Sequence, residues 1–261
     1  MTTLLQRGRR GETLTGLDII DMHGHLGRYQ FAIPDLSPAG LVAAMDRIGV
    51  RTIVCSHMSC MQGDFRRGNR QVLEAMRAYP GRLKGYVTLW PSDQQQVAAE
   101  MHRCLKDGFV GLKLHSINGF PYTDAAYGPA LAMADERRMP VLLHTWGGGE
   151  VISQVRTLAA EYPEIALLLA HAGADKPGVY VSLAREFESV YLDPCMSAAP
   201  RGLIARLVAE AGAEKVVWGS DAVFLNMAQQ IGRVLGADIP DQDKSKLLSE
   251  NAKRLLGRVR G

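Results

Sequence analysis

The sequence predicts an α/β fold, a (β/α)8 TIM barrel with a C-terminal helix, and three observations lead to this prediction. Short apolar runs rich in Val, Ile and Leu recur at an even spacing along the chain. They show little polar alternation, which is typical of parallel strands that are buried on both faces. Helical patterns separate the runs, and residues 18–257 leave room for eight β/α units of about 30 residues each.

Eight strands are predicted in chain order. They begin near Asp18 (DIIDMHGH), Arg51 (RTIVCSH), Lys84 (KGYVTLW), Val110 (VGLKLHS), Pro140 (PVLLHTW), Ile165 (IALLLAHAG), Val190 (VYLDPCM) and Lys215 (KVVWGSDA). An open, doubly wound sheet would show the same alternation of strands and helices. Its nucleotide-binding forms rely on a GxGxxG motif or a P-loop, and this chain has no GxGxxG after the first strand and no P-loop. The closed barrel is therefore the expected arrangement.

The segments between the strands carry helix signals. Ser37 is the predicted N-cap of a helix over 38–49, and the next helix, 69–79, has one apolar face and ends before Pro80. Further helices are expected at 92–106, 124–138, 150–162, 178–187, 200–211, 226–235 and, at the C-terminus, 243–256. No linker or low-complexity tract interrupts residues 18–261, which we expect to form one barrel domain after an N-terminal extension, residues 1–17.

Composition and charge limit the classes of partner. The chain has 30 Lys and Arg residues against 27 Asp and Glu, a net charge of +3, which gives no indication of a nucleic-acid or anionic membrane partner. No apolar run approaches the roughly 20 residues that cross a bilayer. Four cysteines without CxxC spacing indicate reduced thiols. Because no secretory signal is recognisable either, a cytoplasmic location is expected.

Histidines collect at the carboxyl ends of the predicted strands. Six of the seven histidines lie there, and an aspartate ends the eighth run: His23, His25, His57, His115, His144, His171 and Asp221. In a parallel barrel these ends converge on one face, where barrel enzymes have their active sites. We therefore expect these side chains to surround a single site.

The His23-Gly24-His25 sequence is the most informative of these. Residues two apart on a strand point to the same side, so both imidazoles can face the barrel axis. Together with His144 and Asp221 they would offer a divalent metal three nitrogens and one oxygen. That donor set suits one zinc ion, with iron(II), manganese or cobalt as substitutes. A metal-activated water would then supply a nucleophile near neutral pH.

The ordered motifs DMHGHLG, GLKLH, PVLLHTW, LLAHAG, VVWGSD and SENAKRLLG resemble those of the amidohydrolase superfamily. The most similar branch is the amidohydrolase-related group that includes aminocarboxymuconate-semialdehyde decarboxylase. The resemblance extends over residues 18–257 and implies a (β/α)8 barrel with one divalent metal, usually zinc. It implies the ligands His23, His25, His144 and Asp221, and it places His171 where the family has a histidine that assists the metal-bound water.

Two reactions fit this site, and the ligands do not distinguish them. The preferred prediction is a metal-dependent hydrolase of a small carboxylated substrate, a cyclic amide, lactone or ester, in which His171 and Asp221 move protons. The alternative is a non-oxidative decarboxylase of an aromatic or dienoic acid. A binding protein without activity would be expected to have lost part of the ligand set. A related metal-dependent nuclease would usually have a glutamate at the position of Lys113.

Other residues are assigned to the substrate or left open. Arg28 is either a ligand for a substrate carboxylate or a solvated loop residue, while His115 and Trp146 are expected in the substrate pocket. Lys113 either bridges a second metal after carboxylation, as in binuclear relatives, or pairs with a carboxylate such as Asp193. The chain is also shorter than many members of the family, which suggests a homodimer in which a neighbouring subunit covers the pocket.

Overall fold

The structure is a computed structural model, and it describes residues 2–59, 63–91, 93–146 and 149–261. Its strands are β1 (Ile19–Leu26), β2 (Val50–His57), β3 (Leu83–Thr88), β4 (Gly111–Leu114), β5 (Pro140–His144), β6 (Ala166–Ala170) and β7 (Val190–Asp193). Neighbouring strands are parallel, and their order in the sheet is their order in the sequence. The first seven predicted strands are therefore present.

Helices alternate with these strands. They are α1 (Leu4–Arg9), α2 (Pro38–Ile48), α3 (Phe65–Ala78), α4 (Gln94–Lys106), α5 (Gly128–Glu136), α6 (Gly149–Glu161), α7 (Pro177–Glu186), α8 (Leu203–Ala211), α9 (Met227–Leu235), α10 (Asp241–Ser245) and α11 (Asn251–Gly257). A π-helical turn over Lys246–Glu250 joins α10 to α11, so the predicted C-terminal helix is present. Helix α3 begins earlier than predicted because the Asp64 side chain caps the backbone N–H of Arg67. Cys60 and Ser92 lie outside the described residues.

The eighth predicted strand, 215–222, is not a regular strand, and this part of the prediction needs correction. Val216 forms a single bridge to Leu192 of β7, and Ala222 forms one to Gly24 of β1. Backbone hydrogen bonds from Met22 N to Trp218 O (3.0 Å) and from His25 N to Ala222 O (2.6 Å) attach the segment to β1. The seven-stranded sheet is therefore curled so that one irregular segment contacts both of its edge strands.

A buried carboxylate explains why this segment is irregular. Asp21 accepts hydrogen bonds from the backbone N of Ser220 (2.9 Å) and of His23 (3.0 Å), and from the Ser220 hydroxyl. The N–H of Ser220 is thus satisfied by a side chain instead of a carbonyl of the neighbouring strand. An apolar run in the sequence does not show that a side chain will replace the carbonyl of the neighbouring strand as hydrogen-bond partner. The sequence pattern therefore still predicts a strand.

Two apolar clusters pack on opposite faces of the sheet. Along β5, Leu142 belongs to the inner cluster, whereas Val141 and Leu143 belong to the outer cluster that packs against the helices. Ala252 and Leu255 of α11 join the inner cluster, and the Ser249 hydroxyl donates to Asp18 O just before β1. The C-terminal helix therefore covers the amino-terminal end of the strands, which leaves their carboxyl ends for the site.

The N-terminal extension packs onto the barrel helices. Thr3 caps α1, Leu4 is buried, and its backbone N donates to Asp241 at the start of α10 (2.8 Å). Helix α1 contacts α9. Among the residues that the structure describes, no helix is both long and apolar enough to cross a membrane.

A buried asparagine joins three elements and gives a test of this packing. The Asn69 amide donates to Thr88 O and Glu100 Oε1 (both 2.9 Å) and accepts from Thr88 N and Oγ1 (both 3.0 Å), linking α3 to β3 and α4. Asn69→Ala removes these four hydrogen bonds, although Glu100 Oε1 still accepts from Arg103 Nη2 at 2.7 Å, and we expect a loss of about 2–4 kcal/mol of unfolding free energy in urea titrations. Glu74→Ala, on the exposed side of α3, is the control and should change it by less than about 0.5 kcal/mol. Equal effects of the two substitutions would contradict the assigned role of Asn69.

Candidate metal site and active site

The carboxyl ends of the strands meet at a cavity of about 350 Å³. Most of the histidines predicted to surround a site line it, together with the aspartate of the irregular segment: His23, His25, His115, His144, His171 and Asp221. The histidines lie in the last residues of a strand or directly after it, and Asp221 lies on the irregular segment, so the backbone around the sheet fixes where each side chain enters the cavity. His57 is not among the described lining residues, and its Nδ1 instead contacts Ser59 Oγ at 2.9 Å.

Three of the predicted metal ligands form a tight group. His23 Nε2 lies 3.2 Å from His25 Nε2, and Asp221 Oδ1 lies 3.1 Å from His25 Nε2 and 3.6 Å from His23 Nε2. The side chains of both histidines are nearly inaccessible to solvent. Two imidazole nitrogens and one carboxylate oxygen therefore point at one position on the cavity floor, which is the arrangement that a divalent metal requires.

The outer nitrogens of the two histidines are held by other side chains. His23 Nδ1 lies 2.7 Å from Asp193 Oδ2, and His25 Nδ1 lies 3.0 Å from Ser56 Oγ. Such partners fix ring orientation and direct the Nε2 lone pair toward a metal. Ser56 lies on β2, the strand next to β1, and Asp193 ends β7, which the irregular segment separates from β1. The orientation of the two rings therefore depends on both edges of the curled sheet.

The protonation states also suit a metal. Burial lowers the pKa of His23 well below its usual range and lowers that of His25, so both rings are neutral and can act as ligands. Burial alone would raise the pKa of Asp221, but the adjacent His23 and the hydrogen bond with His25 hold it below its ordinary value. The donor set is thus two neutral imidazoles and one anionic carboxylate, and it fits a divalent cation.

His144, the fourth predicted ligand, is placed beside this group. Its ring is stacked on His115 with centroids 3.9 Å apart and an interplanar angle of 16°, and it meets the His171 ring edge-on at 4.8 Å. Among the described residues it is not a member of the three-residue group whose donor atoms lie within 4.8 Å of one another. Its role as a ligand remains a prediction.

His171 is held by the backbone of the next loop. Its Nδ1 lies 2.7 Å from the carbonyl oxygen of Cys195, which can only accept a hydrogen bond, so Nδ1 carries the proton. His171 (φ 61°) and Asp221 (φ 56°) both occupy the left-handed region of backbone conformation. That conformation is uncommon for residues other than glycine and is concentrated at functional sites.

Lys113 places a buried amine next to the predicted ligands. Its side chain is only 2% exposed, and Nζ lies 3.4 Å from His23 Nε2. Lys113 lies on β4, and its side chain faces the same interior of the barrel as His23. Whether Lys113 bridges a second metal remains a prediction.

The upper cavity is aromatic, and sequence reasoning missed part of it. Phe224 packs against His25 at 5.2 Å between ring centroids, and it also contacts Tyr29 (5.7 Å) and Phe31 (5.5 Å). Trp146, predicted in the pocket, lies 5.3 Å from the His171 ring. The signal for the missed residues was available, because Tyr29 and Phe31 closely follow the His-Gly-His sequence and Phe224 follows Asp221.

Arg28 takes a different place. It is exposed on the loop after β1 and is not among the described residues that line the cavity. Its assignment to a substrate carboxylate remains a prediction that this placement does not support directly.

A family model described as Amidohydrolase matches residues 20–258. The chain belongs to the amidohydrolase family. A curated relative, the gamma-resorcylate decarboxylase of Polaromonas sp. (strain JS666), is 22% identical over 283 residues, which cover 82% of this chain and 86% of that protein.

Solved structures of this fold are similar over nearly the whole chain. A dihydroxybenzoic acid decarboxylase from Polaromonas sp. JS666, with bound manganese and the inhibitor 2-nitroresorcinol, has a TM-score of 0.76 and 19% identity and covers 95% of this chain and 98% of its own. A 5-carboxyvanillate decarboxylase from Novosphingobium aromaticivorans, with manganese, has a TM-score of 0.75 and 16% identity, with 93% and 96% covered. An amidohydrolase from Staphylococcus aureus has a TM-score of 0.76 and 16% identity, with 92% and 99% covered.

These comparisons correct the preferred reaction. The prediction of a hydrolase was wrong, because the curated relative is a decarboxylase and similar structures are named as decarboxylases too. The physical reason for the error is that one metal site and one proton-transferring histidine serve both reactions. The prediction of zinc in particular is also not supported, since two of the similar structures contain manganese.

Removing a donor from the three-residue group should remove the metal. His23→Ala and Asp221→Asn are each expected to reduce bound divalent metal from about one per chain to a small fraction, because the donors that remain bind a metal weakly. Inductively coupled plasma mass spectrometry after dialysis measures this. His102→Ala, an exposed histidine on α4, is the control and should keep the wild-type metal content. Full metal content in the His23 or Asp221 variant would refute this assignment.

Proposed function

We propose that this protein is a metal-dependent, non-oxidative decarboxylase of small aromatic carboxylic acids. The observation that carries the proposal is the group of His23, His25 and Asp221 at the floor of an aromatic cavity. The curated relative supports it, because it is named as a decarboxylase of a carboxylated phenol and matches most of the chain.

One divalent metal is proposed at His23, His25 and Asp221, with His144 as a further ligand. When bound, the ion supplies an electrophilic centre that holds the substrate carboxylate and draws electron density from it. Nitrogen and oxygen donors of this kind suit both zinc and manganese. The sequence favoured zinc and the similar structures contain manganese, so metal analysis of the purified protein decides between them.

His171 is the proposed proton donor to the ring. In decarboxylation the ring carbon that bears the carboxylate takes a proton, and the bond to the carboxylate carbon then breaks. The electron pair of that bond returns to the ring and CO2 leaves. The proton comes from the doubly protonated imidazole of His171, whose Nδ1–H stays bonded to Cys195 O while Nε2 gives its proton to the ring carbon. The neutral Nδ1–H ring that remains takes up a proton from solvent before the next turnover. Asp221, whose Oδ1 lies 3.1 Å from His25 Nε2, is the second group proposed to accept and return a proton between turnovers.

The walls of the cavity suit an aromatic substrate. His115 and Trp146 line it as predicted substrate residues, and Tyr29, Phe31 and Phe224 add aromatic faces. Aromatic rings favour stacked or edge-to-face contacts with a substrate ring. Since no Lys or Arg is found among the described lining residues, the metal site is the place for the substrate carboxylate.

Three broader parts of the proposal follow from the fold. The irregular segment 216–222 takes the place of an eighth strand and closes the barrel, supported by its bridges to β1 and β7. The protein acts in the cytoplasm, supported by buried free thiols at Cys55, Cys104 and Cys195. It forms a homodimer, supported by the exposure of Phe31, Ile117 and Trp146 at the cavity mouth, and size-exclusion chromatography with light scattering tests this.

A substrate screen distinguishes the two reactions. We expect the metal-loaded protein to release CO2 from carboxylated phenols such as 2,6-dihydroxybenzoate or 5-carboxyvanillate and to leave lactones and cyclic amides intact. Because general acid catalysis contributes about 100- to 10,000-fold, His171→Gln should reduce kcat by at least about 100-fold while metal content stays unchanged. His102→Gln is the control. Ring hydrolysis without CO2 release, or full turnover by His171→Gln, would contradict the proposal.

A further inference from the structure

Two polar side chains on α9, the buried Gln230 and the partly buried Arg233, hold the loop that follows β7. Gln230 is 2% exposed, and its Nε2 donates to Met196 O at 3.0 Å while its Oε1 accepts from Met196 N at 3.4 Å. Arg233, one turn further along the helix, donates through Nη1 to Pro194 O at 2.9 Å, to Met196 O at 3.4 Å and to Gln230 Oε1 at 2.8 Å. Both side chains therefore bind the backbone on the two sides of Cys195.

The Cys195 carbonyl, which lies between these contacts, points away from α9 and toward His171. Pro194 O and Met196 O accept from α9, whereas Cys195 O accepts from His171 Nδ1 at 2.7 Å. On the inner side, Cys195 N donates to Asp193 Oδ1 at 3.1 Å. The peptide group that holds His171 is thus fixed by contacts before, at and after Cys195, and its direction cannot change without breaking hydrogen bonds to Gln230 or Arg233.

We propose that Gln230 and Arg233 are positioning residues for His171, acting through the Cys195 carbonyl to fix the tautomer and direction of the imidazole. The proposal rests on the proposed function, in which His171 gives a proton to the substrate. Because a carbonyl oxygen accepts only, its contact keeps one proton on Nδ1, so the proton that His171 gives to the substrate is the one it takes up at Nε2, which is directed into the cavity. Neither residue lines the cavity near the ligands, so they touch neither the metal position nor the substrate.

The choice of residue types supports a role beyond packing. Met227, Ile231 and Val234 on α9 are buried and apolar, and an apolar side chain at position 230 would fill the same space. Instead a glutamine is buried there, which is favourable only when its amide is satisfied. Its partners are the backbone groups next to the peptide that holds His171. Small displacements of a proton donor are costly to rate, so the arrangement bears directly on turnover.

The test compares two neighbouring glutamines. Gln230→Met keeps the volume and removes the hydrogen bonds, while Gln229→Met alters the exposed neighbour on the same helix and is the matched control. We expect Gln230→Met to lower kcat about 10-fold or more with KM within about twofold and metal content unchanged. Gln229→Met should match the wild type in all three.

A second readout does not depend on turnover. In the zinc-loaded protein, ¹⁵N NMR of the histidine rings reports which nitrogen carries the proton, and His171→Gln assigns the signal. The wild type is expected to show His171 as the Nδ1–H tautomer, and Gln230→Met should shift the population toward Nε2–H. Arg233→Lys keeps a charged donor and should retain more of the Nδ1–H form and of kcat than Arg233→Met, which covers the case in which one variant fails to fold.

The outcomes separate this inference from the proposed function. If the wild type releases no CO2 but the tautomer shifts in Gln230→Met and not in Gln229→Met, the positioning role stands and decarboxylation fails. If Gln230→Met leaves both kcat and the His171 signal as in the wild type, the positioning role is overturned. A loss of metal or a change in KM alone would also overturn it, because either would place the effect outside His171.

Discussion

The site depends on the close approach of two buried imidazoles, with 3.2 Å between His23 Nε2 and His25 Nε2. Neutral rings take up this arrangement only when their other nitrogens are satisfied, and Asp193 and Ser56 satisfy them. Ser56 lies on β2 and Asp193 ends β7 at the other edge of the sheet, so the proposed metal position exists only when the sheet is curled. Gly219 is part of the same requirement, since a Cβ there would lie 2.5 Å from the Cβ of His23.

Much of this arrangement was predictable from the sequence, because continuous apolar runs and their polar ends are local signals. The seven strands, the pair His23 and His25, and Asp221 at the end of the last apolar run follow from such signals. The irregular eighth segment did not, since it results from a buried Asp21 side chain that replaces a ladder hydrogen bond with Ser220. The aromatic wall required knowing which loops fold over the cavity, and the reaction could not be read from ligands that serve two chemistries.

The surroundings of the ligands help to explain why decarboxylation fits better than hydrolysis. Hydrolysis consumes a water molecule, whereas decarboxylation consumes a proton and releases CO2. Phe224 packs directly against His25, and Tyr29 and Phe31 extend this apolar surface outward. Such walls reduce the access of water to a bound substrate and strengthen electrostatic interactions at the floor. A histidine such as His171 can still give a proton to the substrate in this environment.

For the proposed proton transfer, the backbone must hold the His171 ring in a fixed direction. His171 occupies the left-handed region at φ 61°, a conformation that nothing in an isolated strand end would favour. Cys195 O, in the loop after β7, accepts a hydrogen bond from the ring, and α9 holds that loop in turn. The two strand ends are thereby connected through a helix that contributes no group to the cavity floor. In this barrel the direction of the proposed proton donor therefore depends on several packed elements, and a helix on the outer layer is one of them.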